Sequence, residues 1–362
     1  MTEKKALIAM SGGVDSSVAA YLMKKQGFSC IGAMMRLFDN DFLPEGQDSS
    51  CCSLDDAEDA RSVARRLDFP FYVFNSKGEF REKVIDKFIR CYECGATPNP
   101  CIDCNRYLKF DHLMRRGEEL GCDYVVTGHY ARIRQDETTG RYLLYKAADL
   151  SKDQSYVLYS LTQQQLARIR FPLGEMTKTE ARAIAEEQGF VNSRKRDSQD
   201  ICFVPDGDYV GFMERVTGKQ YAAGDFLDLN GNVVGQHRGA VSYTLGQRKG
   251  LGLAMGAPVY ICAKDMAKNT VTVGPNEALF SSALVAEDWN WFPFETITSP
   301  IRVTAKARYN QPPQPATAYP GENGTARVVF DAPQRALTPG QAVVLYDGDL
   351  VIGGGTITEV IR

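Results

Sequence analysis

Two hydrophobic patterns take turns along the first half of the chain: short uninterrupted apolar runs, and apolar positions recurring with the period of a helix. Ala6 to Met10 is too short for a helix and suits a strand buried on both faces. Val14, Val18 and Leu22 follow at i, i+4 and i+8, with Lys24 and Lys25 in the last turn and Gly27 placed to cap it. Cys30 to Met35 predicts a second strand, Asp39 to Ser50 a polar loop, and Ser53 with Asp56 a capping box opening a helix to about Leu67. Phe71 to Phe74 reads as a third strand, and Phe80, Val84, Ile85, Phe88 and Ile89 as the inner face of another helix. A cysteine-rich loop is expected over residues 91 to 104, then a helix carrying Leu108, Leu113 and Leu120, then a strand from Tyr124 to Val126 that runs into Thr127-Gly128-His129-Tyr130. Such alternation predicts a doubly wound α/β domain that binds its ligand at the C-terminal ends of the strands. Gly128 and His129 then share an edge with the turn after the first strand.

The pattern changes further on. Ile133 and Arg141 to Tyr145 predict a hairpin around Asp136 to Gly140, and Thr177 with Glu180 boxes a helix ending near Gly189. A basic run from Arg194 to Arg196 leads into Asp197-Ser-Gln-Asp-Ile-Cys-Phe203. Past Pro205 the runs are short and β-rich, with hairpin signals at Asn230-Gly231 and Asp347-Gly348 and a glycine-rich loop from Leu245 to Gly252 that holds two cations. The expected organisation is a catalytic α/β domain over 1–205, a small central domain over 206–283 and a C-terminal β-barrel or sandwich over 284–362.

Length agrees with that division, since 362 residues exceed a comfortable single core. With 44% apolar and 24% charged residues the chain has the composition of a soluble globular protein, and no apolar run is long enough to cross a bilayer. The apolar run behind Lys4 and Lys5 leads straight into the glycine turn, so cleaving it as a leader would destroy that turn; a cytoplasmic location without membrane partners is expected. A net charge of -3 offers no general attraction for nucleic acid, which leaves any RNA contact to local patches. Ten cysteines in a chain of this kind point to metal, cluster or redox chemistry rather than disulfide scaffolding.

Ser11-Gly-Gly-Val-Asp-Ser-Ser17 lies between a strand and a helix start, the order an anion cradle requires. Its glycines let backbone N–H groups approach a phosphate, but it lacks the Gly-Lys-Ser/Thr ending of a Walker loop, so the usual phosphate-gripping lysine is missing. The bland reading is a strand-to-helix turn that happens to be glycine-rich. The turn resembles the SGGxDS loop of ATP pyrophosphatases, with their adenine nucleotide alpha-hydrolase-like fold. That resemblance implies that Ser11, Gly12, Gly13, Asp15 and Ser16 hold pyrophosphate, with Asp15 near Mg²⁺.

Reactive cysteines need the thiolate and therefore nearby cations or a helix N-terminus. Cys104 precedes a helix with Arg106 and Lys109 in its first turns, and Cys202 follows the basic run. Thr97-Pro-Asn-Pro-Cys-Ile-Asp-Cys-Asn105, Thr127-Gly-His-Tyr-Ala131, Lys152-Asp-Gln-Ser-Tyr156 and Asp197 to Phe203 stand in order behind the glycine turn. With Gly246-Gln-Arg-Lys-Gly250 and Ala307-Arg-Tyr309 they resemble the tRNA-specific 2-thiouridylases nearly end to end. The resemblance implies a three-domain enzyme that replaces the 2-oxygen of the wobble uridine, in the anticodon stem-loop of tRNA, by sulfur. ATP adenylates that oxygen, and a cysteine persulfide fed by a donor protein (a cysteine desulfurase or sulfur relay) displaces AMP. It further implies Cys202 as persulfide carrier and Cys104 as partner thiol, through a Cys104–Cys202 disulfide. Ala9, Met10, Ser11, Gly12, Gly13, Val14, Asp15, Ser16, Met35 and Gly128 would contact ATP. Asn99, Pro100 and Cys101 would line the target base, and His129, Lys152, Asp153, Gln154, Arg308, Tyr309 and Gln341 would touch tRNA.

Other readings stay open. Part of the family has an aspartate at the position of Cys101; here Cys101, Cys104 and Cys202 could instead ligate three irons of a [4Fe-4S] cluster that carries the sulfur. Cys91 and Cys94 lie closer to the Cys101/Cys104 pair than usual zinc spacings allow and read as incidental thiols, as does Cys51-Cys52. His129 could be a strand-end histidine bonded within the fold, Met35 a core filler, and Arg308 and Tyr309 ordinary strand residues. Among functions, the alternatives are another ATP pyrophosphatase, such as an amide-forming ligase or a different base-modifying enzyme, and an RNA-binding module with a vestigial nucleotide fold. The ligase would want a glutaminase module that the β-rich texture does not suggest. The vestigial module would not need Gly12, Gly13, Asp15 and both cysteines.

Overall fold

The first apolar run forms β1 (Lys5–Ala9), whose alternate side chains enter two separate cores. Ala6 and Ile8 join Val14, Val18, Ala19 and Met23 of α1 (Val14–Lys25) on one face. Leu7 meets Ala33, Leu113, Met114 and Val125 on the other. Coverage of both faces is what demands an unbroken apolar run instead of alternation. α1 stops as expected: Phe28 N–H reaches back to the Met23 carbonyl and Gly27 N–H to Lys24 O, the paired closing bonds of a Schellman motif.

The computed structural model describes residues 4–38, 53–195 and 201–361. The loop expected from Asp39 to Ser50, Cys51, Cys52, Arg196, and Asp197 to Asp200 lie outside the described residues. The chain divides into two compact units, one of Met1–Ile85, Pro100–Gly207 and Asp349–Ile352, the other of Asp86–Asn99, Asp208–Gly348 and Gly353–Arg362. Among the described residues no helix is long and apolar enough to cross a membrane.

In the first unit, α2 (Leu54–Arg66) separates β2 (Ser29–Arg36) from β3 (Phe71–Asn75), and its Ser53/Asp56 capping box is formed in both directions. β4 (Tyr124–Val126) is followed by the hairpin β5 (Arg132–Gln135) and β6 (Tyr142–Tyr145), then by β7 (Ile169–Arg170). The parallel sheet has the order β3-β2-β1-β4-β7. Strand order reverses between β1 and β4, so a crevice opens outside their C-terminal ends, where such folds bind ligands. α3 (Lys178–Glu187) begins at the Thr177/Glu180 capping box, again with both bonds made.

The second unit holds a four-stranded sheet of β8 (Gly224–Leu227), β9 (Val233–His237), β10 (Tyr260–Asp265) and β11 (Thr270–Gly274), in the order β10-β11-β8-β9. It also contains β12 (Phe280–Trp291), β13 (Ile301–Lys306), β14 (Gln314–Pro320), β15 (Ala326–Arg335), β16 (Ala342–Asp347) and β17 (Leu350–Ile361). Their order is β12-β15-β14-β13-β16-β17, and β12 also pairs with β17, which closes a six-stranded barrel and decides between barrel and sandwich. The expected limit at 283/284 falls inside β12, because the short turn Asn276–Leu279 leads directly into that strand.

The stretch expected to be a cysteine-rich loop is largely helical. Cys91 lies on the helix Asp86–Glu93, which ends in a Schellman motif: Ala96 N–H bonds Cys91 O and Gly95 N–H bonds Tyr92 O. Pro100 starts a helical turn, Pro100–Asp103, that carries Cys101, and Cys104 opens the helix Cys104–His112. A proline at a first helical position gives up an N–H that has no intrahelical partner anyway, so Pro100 begins structure here instead of breaking it. Asp86–Asn99 belongs with the second unit for visible reasons. Tyr92 stacks on Tyr209 with centroids 6.0 Å apart, Thr97 N–H bonds Pro339 O at 3.1 Å, and Gln341 Nε2 donates to Thr97 O at 2.9 Å.

Replacing Thr177 by Ala removes the hydroxyl that accepts from Glu180 N–H, at a cost of about 1 kcal/mol. Amides of α3 should then exchange with solvent about fivefold faster while those of β1 and β4 keep their rates; equal rates in both proteins would refute the cap's contribution.

Candidate functional site

The glycine turn sits where β1 meets α1, at the reversal point of the sheet. Gly12 has φ +72, and a Cβ there would lie 2.7 Å from the Asp56 Cα and 2.9 Å from its carbonyl carbon. Only glycine satisfies both the conformation and the space. Gly13 is the N-cap of α1 and, having no side chain, makes no cap bond of its own. That leaves amide donors and the positive end of a twelve-residue helix for an anion. Ser16 spans the turn: its hydroxyl donates to Gly13 O at 3.0 Å and accepts from Ser11 N–H at 3.2 Å.

The end of β4 closes the other side. A Cβ on Gly128 would stand 2.7 Å from the Asp15 carbonyl carbon and 2.8 Å from Ser16 N, so backbone packs directly on backbone. The Asp15 carboxylate receives the Lys178 ammonium at 2.7 and 2.8 Å and the Tyr130 hydroxyl at 2.9 Å. Lys178, the first residue of α3, is buried, and its N–H donates to Asp149 Oδ2. The Ser151 hydroxyl, and after it that N–H, hold the Asp149 carboxyl below the ordinary carboxylate range. A lysine absent from the turn itself thus arrives from 163 residues away. The capping box marked the start of its helix in the sequence, but nothing marked its partner.

Buried Asn192 donates through Nδ2 to Gly12 O at 2.8 Å and to Ser17 Oγ at 2.9 Å. Within the basic run, Lys195 reaches Asp56 at 2.6 Å and Asp59 at 2.7 Å. A cavity of about 600 Å³ lies beside this ion pair, lined by Ser53, Asp55, Asp56, Glu58, Asp59, Val191, Asn192 and Lys195. Its four carboxylates make it a poor seat for a polyphosphate.

The remaining expected positions are distributed unevenly. Met10 is buried and Ala9 half-buried at the end of β1, Val14 is buried, and Met35 is half-buried against the core around Leu7 and Ala33. His129 is buried, its Nδ1 2.7 Å from Thr127 Oγ1 and its ring between Phe110 and Phe171, so its side chain is spoken for within the fold. Asp153 accepts from Ala147 N–H, Ser155 N–H and the Ser155 hydroxyl, and Gln154 Oε1 accepts from Tyr130 N–H; Lys152 is half-exposed. Cys101 is exposed, whereas Cys104 and Cys202 are half-buried in the same unit. Pro100 is buried there and Asn99 half-buried in the second unit. Also in the second unit, Arg308 Nη2 donates to Leu245 O, Ala336 O and Thr338 Oγ1, while Tyr309 is exposed. Among the described residues no disulfide is formed, and no three His, Cys, Asp or Glu side chains gather as a metal-holding group.

Three family models match in succession: "tRNA methyl transferase HUP domain" over residues 4–206, "tRNA methyl transferase PRC-barrel domain" over 211–275 and "Aminomethyltransferase beta-barrel domain" over 281–357. A Clostridioides difficile (strain 630) protein named tRNA-specific 2-thiouridylase MnmA is 49% identical over 356 residues, spanning 98% of each chain. Its namesake from Symbiobacterium thermophilum is 51% identical over 99% of this chain and 93% of its own. A solved 4-thiouridine synthetase in complex with RNA and ATP covers 56% of this chain and 45% of its own at 20% identity and TM-score 0.34, a likeness too slight to carry weight.

Gly128→Ala should weaken binding of an ATP analogue at least about tenfold, since its methyl group displaces the Asp15 backbone, while the circular dichroism spectrum stays unchanged; unaltered binding would contradict the close packing. Burial holds all three histidines, His112, His129 and His237, below the ordinary 6.5. Between their folded values and 6.5 the unfolded chain binds more protons, so stability should fall as pH drops below about 6.5. Denaturant midpoints at pH 7.5 and 5.5 test this, and His129→Gln should flatten the slope.

Proposed function

The chain belongs to the tRNA-specific 2-thiouridylases, and from that premise we propose that it thiolates uridine in tRNA, at the 2-position of the wobble base, by adenylation followed by transfer of a persulfide sulfur. The observation that carries the reading is the clamped glycine turn, where α1 presents an uncapped N-terminus beside Lys178 and Asp15. That is donor, cation and carboxylate around one polyphosphate seat.

In this reading Ser11, Gly12, Gly13, Asp15 and Ser16 hold the β and γ phosphates, and Lys178 neutralises charge as pyrophosphate leaves. Ala9, Met10, Val14, Met35 and Gly128 bound the nucleotide. Mg²⁺, when bound, would screen the phosphates, and Asp15 is the carboxylate positioned to share it. The uridine 2-oxygen attacks the α-phosphorus and pyrophosphate departs. Asn99, Pro100 and Cys101 line the base, which leaves its stack to be reached. The terminal sulfur of a Cys202 persulfide, loaded by a donor protein, forms a bond to C2 as the C–O bond to AMP breaks. Cys104 thiolate then attacks the Cys202 sulfur, the sulfur–sulfur bond breaks, and its electron pair stays with the 2-thiouridine. A Cys104–Cys202 disulfide is left, which a cellular dithiol must reduce before the next turnover. Lys152, Tyr309 and the backbone braced by Asp153, Gln154, His129, Arg308 and Gln341 meet the RNA. Among the described residues Cys101, Cys104 and Cys202 do not gather as a metal-ion site, which favours the persulfide route over a cluster on them. Use of ATP and location in the cytoplasm follow from the same reading.

With Cys202→Ser as the sole cellular copy, mass spectrometry of tRNA nucleosides should find no 2-thiouridine at the wobble position; an unchanged level would defeat the carrier role. Cys104→Ser should accumulate a protein–tRNA adduct through Cys202 that dithiothreitol releases. Full turnover by Cys104→Ser without adduct would sink the disulfide step.

A further inference from the structure

We infer that Asn105 and Gln165 are positioning residues that hold the helix Cys104–His112 in a wide π winding and thereby aim the Cys104 thiol. The inference rests on the proposed function, in which Cys104 attacks the Cys202 sulfur.

The helix Cys104–His112 is π-wound over its whole length, and the Leu113 N–H closes it on Leu108 O, five residues back. Such winding ordinarily appears as a single bulged turn inside an α-helix, often at a functional site. The local sequence does not ask for it, since Arg106, Leu108 and Lys109 are good α-helix formers. Two side-chain amides hold it instead. Asn105 Nδ2 donates to Val157 O at 3.1 Å, and Gln165 Nε2 donates to Phe110 O at 3.0 Å. The groups they tie to are themselves fixed. Val157 lies in the tight turn Ser155–Leu158, whose Ser155 is bonded to Asp153. Gln165 belongs to the capping box of the helix Gln163–Arg168, where its Oε1 accepts from Thr162 N–H. One amide thus grips the start of the winding and the other its later half, and a side chain bonded into the ladder is a known cause of displaced helical hydrogen bonds.

As core packing the arrangement is poor. Asn105 is 2% exposed, and its Oδ1 is buried with no hydrogen-bond partner among the described residues. Leucine would fill that volume without stranding an acceptor. What asparagine adds is a fixed direction for the residue before it. An α ladder turns by about 100° per residue and an i→i+5 ladder by roughly 80°, so over Cys104–His112 the two diverge by more than about 120°. The far end cannot absorb that rotation, because Leu108, Phe110 and Leu113 are fully buried, the last in the core with Leu7 and Val125. Rewinding as an α-helix would therefore swing Cys104 to another face.

The test compares the wild type with Gln165→Glu and Asn105→Leu in the full chain. Gln165→Glu keeps the oxygen that completes the capping box and removes only the donor to Phe110 O. With ATP, tRNA and persulfide-loaded enzyme, both variants should release pyrophosphate at the wild-type rate in a single turnover, with KM for ATP and tRNA unchanged within about twofold. Resolution of the Cys202–tRNA adduct should slow at least about tenfold, so kcat falls and adduct accumulates. Alkylation of Cys104 by iodoacetamide, read by peptide mass spectrometry, should change at least about threefold relative to the exposed Cys94. If Asn105→Leu does not fold, Gln165→Glu decides alone. A Gln165→Glu enzyme with wild-type kcat and wild-type Cys104 reactivity overturns the inference and leaves Gln165 as a cap only. If the resolving role of Cys104 is wrong, Cys104→Ser turns over fully while the alkylation contrast stands; if the inference is wrong, Cys104→Ser stalls as the adduct while both variants run as wild type.

Discussion

Backbone packed against backbone on two sides of one turn is the constraint around which the first unit is arranged. Gly12 abuts the Asp56 main chain and Gly128 abuts that of Asp15 and Ser16, so neither contact tolerates a methyl group. For both to hold, β1 must end at Ala9, α2 must start at its capping box, and β4 must stop after Val126. Charge then completes what sterics begin. A carboxylate beside an anion cradle is unfavourable by itself, and the buried Lys178 ammonium neutralises it. Because Asp15 keeps partial contact with water, the pair contributes less to stability than a fully buried one, and its main effect is on the potential of the site.

The organisation of this unit was legible in the sequence to the extent that it depends on neighbours in the chain. Strand length, α1 with its Gly27 ending, and the two capping boxes follow from local rules, and each stands as read. Gly128 was placed at the loop because sheet topology puts strand ends on a common edge. What escaped were partners distant in sequence. Lys178, Asn192 and Lys195 carry no local signature for Asp15, Gly12 and Asp56, since such pairings arise from the packing of α1, α2 and α3. The cysteine stretch misled differently. Gly95 and Pro100 are loop signals in isolation, yet here they end one helix and begin another.

Several positions that resemblance assigns to tRNA contact have partners in the fold. Asp153 and Gln154 brace the backbone from Ala147 to Ser155 and Tyr130, and Gln341 holds the Thr97 carbonyl upstream of the cysteines. A guanidinium shared among Leu245, Ala336 and Thr338 fixes the glycine-rich loop to the barrel strand end. In the proposed function, phosphate contacts by main-chain N–H groups need surfaces held at fixed separation, and braces of this kind supply them. A substitution at Arg308 or Gln341 would therefore act through the shape of the loops they hold.

Closure of the barrel has a consequence for how the molecule is made. The pairing that seals it joins Ala283 to Ile361, opposite ends of the C-terminal domain, so the barrel closes only when nearly its whole length of chain is present. Loop-closure entropy is spent before that contact returns anything, which makes such topologies slow to form. Until β17 emerges from the ribosome, β12 stands as an open edge with unpaired amides, the form in which strands recruit strangers. The parallel sheet is complete earlier in synthesis, since its last strand, β7, ends at Arg170. The parallel sheet can thus be assembled while the barrel is still waiting for its last strand.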